Sequence, residues 1–420
     1  MSRASNTLPS KEAKDPGFAE FVAIIALMMG LSAFSIDNLL PAFVPIRAHF
    51  TVAQANDLQL LVTAYMIGFA IMQFVFGTLS DVLGRRIVMM TGLAIYATGC
   101  VIAILAGSFD MLLLARVVQG MGGAASRVLS VTIVRDRFAG RDMARVMSFA
   151  MMVFLVIPVI APAIGGAILL VGHWHLIFGA MLALCLVLAL WFGLRMPETL
   201  HPQYRVPLRF GSIAHALRLT VSNRRTFGYA SAIGLLMGCL MAYVASAQQI
   251  FETDVYQLGA WFPLAFAAVA AAMSAASFIN ARLVRRLGMR HLSHFGVCGF
   301  TLVGAMQVAA ALAFAGKPPV LLFCTLLALN QVLFAFTVSN FNSIAMEPVG
   351  EVAGTASSFI GFYTTLMGAA LGWGVSQAFD GTVLPLGLGY LVLGAGAIVL
   401  VLWAERGQLF GSTPLHPKSV

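Results

Sequence analysis

Charge is scarce in this sequence. Of 420 residues only 16 are Asp or Glu and 25 are Lys or Arg, while 60% are hydrophobic and the mean hydropathy is +0.92. A water-soluble globule of that composition would be coated in apolar surface, which excludes a soluble fold and puts the chain in lipid. Because no water in the bilayer core can pair exposed backbone groups, each crossing must be a closed helix or part of a closed barrel. Ten-residue segments of alternating polarity are also missing, which excludes the barrel. The apolar runs are instead about 20 residues long, the length a helix needs to cross a hydrocarbon layer of about 30 Å.

Other absences narrow the function. The five cysteines, Cys100, Cys185, Cys239, Cys298 and Cys324, lie inside apolar segments without metal-ligand spacing and read as small packing residues. No phosphate-binding Gly-x-x-x-x-Gly-Lys-[Ser/Thr] loop exists, since Gly316-Lys317 is followed by Pro318, and there is no His-Glu-x-x-His. His173 and His175 flank Trp174 as an interfacial group, and no histidine clusters with carboxylates. An enzyme, a metal site, a cofactor and ATP-driven pumping are therefore not expected. The net charge of +9 comes from basic residues scattered through short loops, so nucleic acid is not expected as a partner. The polar stretch over residues 1–19, with Lys11, Glu12 and Lys14, precedes a run too long for a signal-peptide core, and that run is expected to stay as the first helix.

Twelve apolar spans are present, at about 20–44, 58–80, 87–107, 110–134, 143–171 and 174–195, then 226–250, 257–281, 291–315, 319–345, 352–377 and 383–404. The expected organisation is an amino-terminal tail (1–19), a six-helix bundle (20–195), a basic linker (196–225), a second six-helix bundle (226–404) and a carboxyl-terminal tail (405–420). The linker carries Arg205, Arg209, Arg218, Arg224 and Arg225. With both termini inside, all but Arg47, Arg116, Arg127 and Lys317 of the 25 basic residues fall on the cytoplasmic side. An odd number of helices would spoil that alternation. A weak repeat relates the halves: the segment 77–86 is echoed by 281–290, with Leu79, Gly84 and Arg86 matched by Leu283, Gly288 and Arg290, while Asp81 has no counterpart. Two six-helix bundles around a midplane cavity, rocking to give alternating access, is the expected architecture.

The motifs carry a resemblance. Gly77-Thr78-Leu79-Ser80-Asp81-Val82-Leu83-Gly84-Arg85-Arg86 resembles the loop motif after the second helix of the major facilitator superfamily. In physical terms, Gly77 and Gly84 permit a tight turn and close approach, while Asp81, Arg85 and Arg86 can form an ion-pair latch that gates the cytoplasmic mouth. Arg116 through Gly123 looks like that superfamily's Arg-x-x-x-Gly pattern in the fourth helix. Ala161-Pro162-Ala163-Ile164-Gly165-Gly166 resembles the fifth-helix antiporter motif of drug exporters, with Ala161 where glycine is usual and the upstream glycines missing. Ser35-Ile36-Asp37-Asn38-Leu39-Leu40-Pro41, Pro197-Glu198-Thr199-Leu200, Asn342, Glu347-Pro348 and Ala353-Gly354-Thr355-Ala356-Ser357 are similar to the bicyclomycin-resistance (Bcr/CflA) branch of drug:proton antiporters. The resemblance implies an all-α fold of 12 helices in a bacterial inner membrane. It also implies efflux of drugs or small amphipathic molecules driven by inward proton flow, with no cofactor beyond the proton motive force. A monomer is expected, with a small-molecule substrate, protons and the lipid bilayer as partners.

Of the acidic residues, Asp37 alone falls at membrane depth, where an ionisable group costs about 3 kcal/mol on insertion scales and usually marks a pathway. Arg116 and Tyr65 fall at a similar depth, all three roughly 9 to 12 Å below the outer boundary. Asp37 is therefore the expected proton-coupling carboxylate, with Arg116 setting how readily it releases its proton and Tyr65 as a cavity wall. The alternative is a permanent Asp37 to Arg116 pair that fixes the first helix against the fourth. Arg127, 11 residues beyond Arg116, returns to within about 20° of the same face, which Gly120 and Gly123 share. Arg127 either lines the cavity or pairs with Asp81 near the cytoplasm. In the cavity reading, two arginines against one aspartate favour neutral, zwitterionic or anionic substrates over permanent cations. Phe34 and Asn38 beside Asp37 complete the expected cavity lining. The second half has only neutral polar groups within its spans, among them Tyr243, Asn330, Gln331 and Asn340, which places coupling in the first half. Proton-coupled or facilitated transport of a small anionic metabolite is the rival function.

Overall fold

The structure is a computed structural model and describes residues 16–200, 203 and 210–410. Lys11, Glu12, Lys14, Arg205 and Arg209 lie outside the described residues, as do most of the two expected tails and part of the linker. Fourteen α-helices and no strand are found among the described residues. The first half runs α1 (Phe18–Asp37), α2 (Phe43–Phe50), α3 (Leu60–Leu83), α4 (Arg85–Ile104), α5 (Phe109–Arg137), α6 (Gly140–Val171) and α7 (His175–Arg195). After α8 (Phe210–Ser222) come α9 (Arg224–Gln248), α10 (Phe262–Leu287), α11 (Met289–Ala313), α12 (Val320–Met346), α13 (Ala353–Gln377) and α14 (Leu384–Ala404).

Eleven stretches among the described residues are long and apolar enough to cross a membrane. One of them, Val320–Gln377, is α12 and α13 joined by a 3-10 turn over Glu347–Val352, which makes twelve crossing helices. Each lies within a few residues of its expected span except the first. There α1 stops at Asp37, a 3-10 turn covers Leu40–Ala42, and α2 carries the chain on to Phe50. Pro41 is the cause: it stands four residues after Asp37 and has no N–H to bond the Asp37 carbonyl. The linker also holds an element that composition alone did not indicate, the helix α8, which packs on α9 and α13.

Local chemistry sets the helix ends. Ser108 caps α5 by accepting from the Met111 amide at 3.2 Å, with Asp110 in the first turn and Arg135 and Arg137 in the last, as the helix dipole favours. Asn223 caps α9 by accepting from the Arg225 and Thr226 amides at 3.1 and 3.0 Å. The turns from α3 to α4 and from α10 to α11 each pass through one glycine at positive φ, Gly84 at 101° and Gly288 at 79°. The sequence repeat is thus a structural repeat.

Within the first bundle α5 packs on α3 and α4, and α1 on α6. Within the second, α9 packs on α13 and α14, and α11 on α12 and α14. The bundles meet along two seams, α3 against α13 and α6 against α10. Large apolar side chains such as Leu170, Leu194, Leu302, Leu321 and Val392 are exposed on the outside of the helices, where lipid replaces water. The loops from α3 to α4 and from α10 to α11 define a basic end of the molecule.

Candidate functional site

The break in α1 positions the first site. Asp37 is its last helical residue, only 6% exposed, and makes no ion pair or side-chain hydrogen bond among the described residues. Asn38, fully buried beside it, leaves both side-chain polar atoms without a partner. The fifth-helix motif packs on this break: a Cβ added to Gly165 would stand 2.1 Å from the Asn38 carbonyl oxygen, so only glycine lets α6 approach this closely. Gly166 meets no such contact, and Pro162 lies inside α6 together with Pro158. Across the bundle interface, Tyr243 of α9 lies within electrostatic reach of Asp37 and stacks on Phe266 with ring centroids 5.5 Å apart; its hydroxyl is buried without a partner. Phe34 is half-buried one turn before Asp37, and its carbonyl accepts from the Asn38 amide at 3.1 Å.

Arg116 is not the partner of Asp37. It is fully buried within the first bundle, donating from Nε to the Leu61 carbonyl at 3.0 Å and from Nη1 to Gln119 Oε1. Its guanidinium also lies 4.6 Å from the centroid of the Tyr65 ring. The cause is helix packing: Gly120 and Gly123, expected on a cavity wall, are buried against α3, where an added Cβ would stand 2.0 Å from the Tyr65 carbonyl and 2.4 Å from its hydroxyl. That close approach draws Tyr65, also fully buried, and Arg116 together and seals both from open space. Ser35, two residues before Asp37, hydrogen-bonds the Tyr96 hydroxyl.

At the basic end the ion-pair latch forms, centred on Arg85. Its Nη1 meets Asp81 at 2.6 Å and Ser80 at 2.9 Å, and its Nε meets Asp136 at 2.8 Å, which joins the ends of α3, α4 and α5. Glu198, just past α7, accepts from the Arg85 and Arg86 amides at 2.9 and 3.2 Å, a carboxylate on the amino terminus of α4. Arg86 stays out of the ion pairs and donates to the Gly193 carbonyl at 2.5 Å. Gly84 is required twice over, by its φ of 101° and because a Cβ there would stand 2.4 Å from Glu198. Gly77 faces the other bundle, with Ser358 Oγ only 2.2 Å from an added Cβ. The latch is therefore internal to the first bundle, while Gly77 sits at the seam.

Arg127 makes no ion pair with Asp81; it stacks on Phe154, Cζ 4.5 Å from the ring centroid, and lines a cavity of about 210 Å³ between α3, α5 and α13. The expected single face of α5 thus divides, with Arg116 sealed and Arg127 open to a cavity.

The far end holds residues the sequence did not single out. Asn56 donates to the Gln377 and Phe379 carbonyls at 3.1 and 3.0 Å, Gln377 returns a bond to the Asn56 carbonyl at 2.9 Å, and Gln249 donates to Asn56 Oδ1 at 2.8 Å. Gln59 donates to Gln249 Oε1. These bonds sew the two bundles together opposite the Arg127 cavity. Neutral amides near helix ends carry no charge or spacing signal, and only the pairing of the halves brings them together.

Residues 25–372 match the family model of the Major Facilitator Superfamily. The chain belongs to that superfamily of transporters. Relatives include a bicyclomycin resistance protein homolog of Haemophilus influenzae, 29% identical over 91% of this chain and 94% of that protein. A chloramphenicol resistance protein of Pseudomonas aeruginosa is 30% identical over 81% of this chain and 79% of its own length. Among solved structures, a D-xylose-proton symporter superposes with a TM-score of 0.72 at 15% identity, covering 92% of this chain and 97% of that one, and it speaks for the shared fold alone. The fold expected from the sequence, twelve helices in two six-helix bundles, is the fold found.

Proposed function

We propose that this transporter exports small amphipathic molecules, drugs among them, across a bacterial inner membrane in exchange for protons. The names of its relatives support the direction, since resistance to bicyclomycin or chloramphenicol follows from export. In this reading the basic end and both termini face the cytoplasm, as retention of Lys and Arg favours. The protein works as a monomer and draws on the proton gradient alone.

The observation that carries the coupling is Asp37: a buried carboxylate with no counter-charge, at a helix break, facing the other bundle. An anion in that position is costly, and water reaching the break lowers that cost, which ties the charge of Asp37 to the opening of the bundles. In this reading the Tyr243 hydroxyl, which has no other partner among the described residues, donates to the carboxylate during the cycle. Alternating access then exposes Asp37 first to the far side, where it takes a proton, and then to the cytoplasm, where it releases the proton and substrate loads. The Arg85 latch keeps the ends of α3, α4 and α5 together while the bundle rocks.

Drug accumulation in cells with and without the protein, before and after collapse of the proton gradient, tests the proposal. Lower accumulation that returns to the control level on collapse is expected. Raised accumulation of an anionic metabolite instead would support uptake.

A further inference from the structure

Arg127 is not absorbed by the coupling scheme. It sits deep in the cavity between α3, α5 and α13 with Nη1 buried and without a hydrogen-bond partner. Phe154 fixes the plane of the guanidinium, so its donors are oriented before any ligand arrives. Arg135 lines the same cavity and lies eight residues on, two turns along the same helix and about 12 Å nearer the basic end.

The charges around the cavity cancel these cations only in part. Asp81 is the one acidic residue in the lining, and Arg85 holds it at 2.6 Å. Asp136, next to Arg135 in sequence, shares the same Arg85 at 2.8 Å, so that trio keeps one net negative charge against the two positive charges of Arg127 and Arg135. From the second bundle the lining is Gly354, Ser357 and Ser358, all uncharged, and Ser357 and Ser358 donate to the Gly354 carbonyl at 3.0 and 3.1 Å. Glu347, on the 3-10 turn before α13, is drawn to Arg290 at 3.5 Å. Arg127, oriented and with one donor unmatched, and Arg135 thus line a polar space whose one carboxylate shares Arg85 with Asp136, leaving a net positive charge of one.

We propose that this cavity is an anion subsite, in which Arg127 and Arg135 take the carboxylate or sulfonate of an amphipathic organic anion. A volume of about 210 Å³ suits a charged head rather than a whole substrate, since drug-sized pockets run from about 300 Å³ upward. The apolar body therefore extends toward the seam of α3 and α13, where Phe74 and Phe362 lie with centroids 6.3 Å apart. Desolvated, charge-assisted hydrogen bonds to an oriented guanidinium give the selectivity, and a neutral analogue forgoes them. The subsite deepens the export reading by naming a substrate class, and its role in transport rests on that reading.

Thermal stabilisation of the purified full-length protein separates the two. The probes are 8-anilinonaphthalene-1-sulfonate and the neutral N-phenyl-1-naphthylamine, each titrated against the wild type, Arg127→Gln, Arg127→Lys and Arg135→Gln. Loss of a charge-assisted bond predicts that Arg127→Gln raises the half-saturating concentration of the sulfonate about tenfold or more, with less than a twofold change for the neutral probe. Arg127→Lys should fall between, and Arg135→Gln, at the open end, should cost about threefold. If Arg127→Gln does not fold, Arg127→Lys and Arg135→Gln carry the same contrast between probes. Equal losses for both probes, or no binding of the sulfonate to the wild type, would overturn the proposal. Selective sulfonate binding without proton-driven export would sink the export reading and leave the subsite standing.

Discussion

The two halves solve the same problem at the basic end with different charges. In each, a glycine at positive φ turns the second crossing helix of the half into the third, and a carboxylate from beyond the sixth meets that turn: Glu198 on the Arg85 and Arg86 amides, Glu405 on Arg290 Nε at 3.3 Å. In the first half Asp81 adds an ion pair from α3. In the second its counterpart is Arg285, and Glu405 draws instead on Arg225 at 3.5 Å and on the Tyr229 hydroxyl at 3.0 Å. The repeat fixes the frame while the ion pairs are free to move from one neighbour to another. Within the membrane the contrast is sharper. The first half holds Asp37, Arg116 and Arg127, and the second buries the neutral Asn330, Gln331 and Asn340. A half with ionisable groups at membrane depth thus packs against one that buries neutral amides there.

Asp37→Asn breaks the comparison most directly. If Asp37 carries the proton as proposed, its loss should cut gradient-driven exchange in proteoliposomes by about 100-fold or more while substrate still binds. Gln331→Leu in the second half, which loses only a bond to the Tyr390 hydroxyl, should cost severalfold at most. Full exchange in Asp37→Asn would end its coupling role, and an equal loss in the second-half variant would end the division of labour.

The latches allow a second contrast. Arg85 is nearly buried and serves two carboxylates, so Arg85→Ala leaves both uncompensated and should destabilise the first bundle by about 3 kcal/mol. Arg290 meets its two glutamates at 3.3 and 3.5 Å, but Glu405 keeps Arg225 and the Tyr229 hydroxyl and Glu347 is exposed to solvent, so Arg290→Ala should cost about half as much. Chemical unfolding in detergent measures both, and equal losses would show that the shorter pairing of the first half adds nothing to stability.

The course of each helix was legible because the bilayer imposes its length, and the turns were legible in Gly84 and Gly288. The latch was legible in part: Asp81, Arg85 and Arg86 are contiguous in sequence, but Asp136 and Glu198 join them only through folding. Arg116 shows why the rest was not. Depth along a helix placed it level with Asp37, and depth says nothing about which neighbour a side chain turns to. That was decided by Gly120 and Gly123, which look alike as cavity wall or as packing surface until their distance to Tyr65 is known. The break after Asp37 was written in Pro41, four residues on, a spacing that was open to reading.

Glu198→Gln tests the carboxylate that meets the start of α4, where Glu405 in the second half meets side chains instead. The amide keeps the shape and loses the charge at the start of α4, for an expected cost of about 1 kcal/mol in the same unfolding assay. A larger loss would mean that Glu198 also serves the Arg85 ion-pair network and not the helix end alone.

The smallest expected effect lies at the far end, where the halves touch through neutral amides. Gln249 joins the second half to both Asn56 and Gln59, so Gln249→Ala removes two inter-bundle bonds without disturbing any charge. Each such bond nets about 1 kcal/mol, enough to raise the population open at that end severalfold. Thr63→Cys, one turn inside the seam in a background with Cys298→Ser and Cys324→Ser, reports on the opening through the rate of labelling by a membrane-impermeant maleimide. Labelling should quicken about fivefold with Gln249→Ala, and protonation of Asp37 should matter less to it than in the parent, because the far end no longer needs as large a push to open. An unchanged rate would mean that the α3 to α13 seam, and not the amides, holds that end shut.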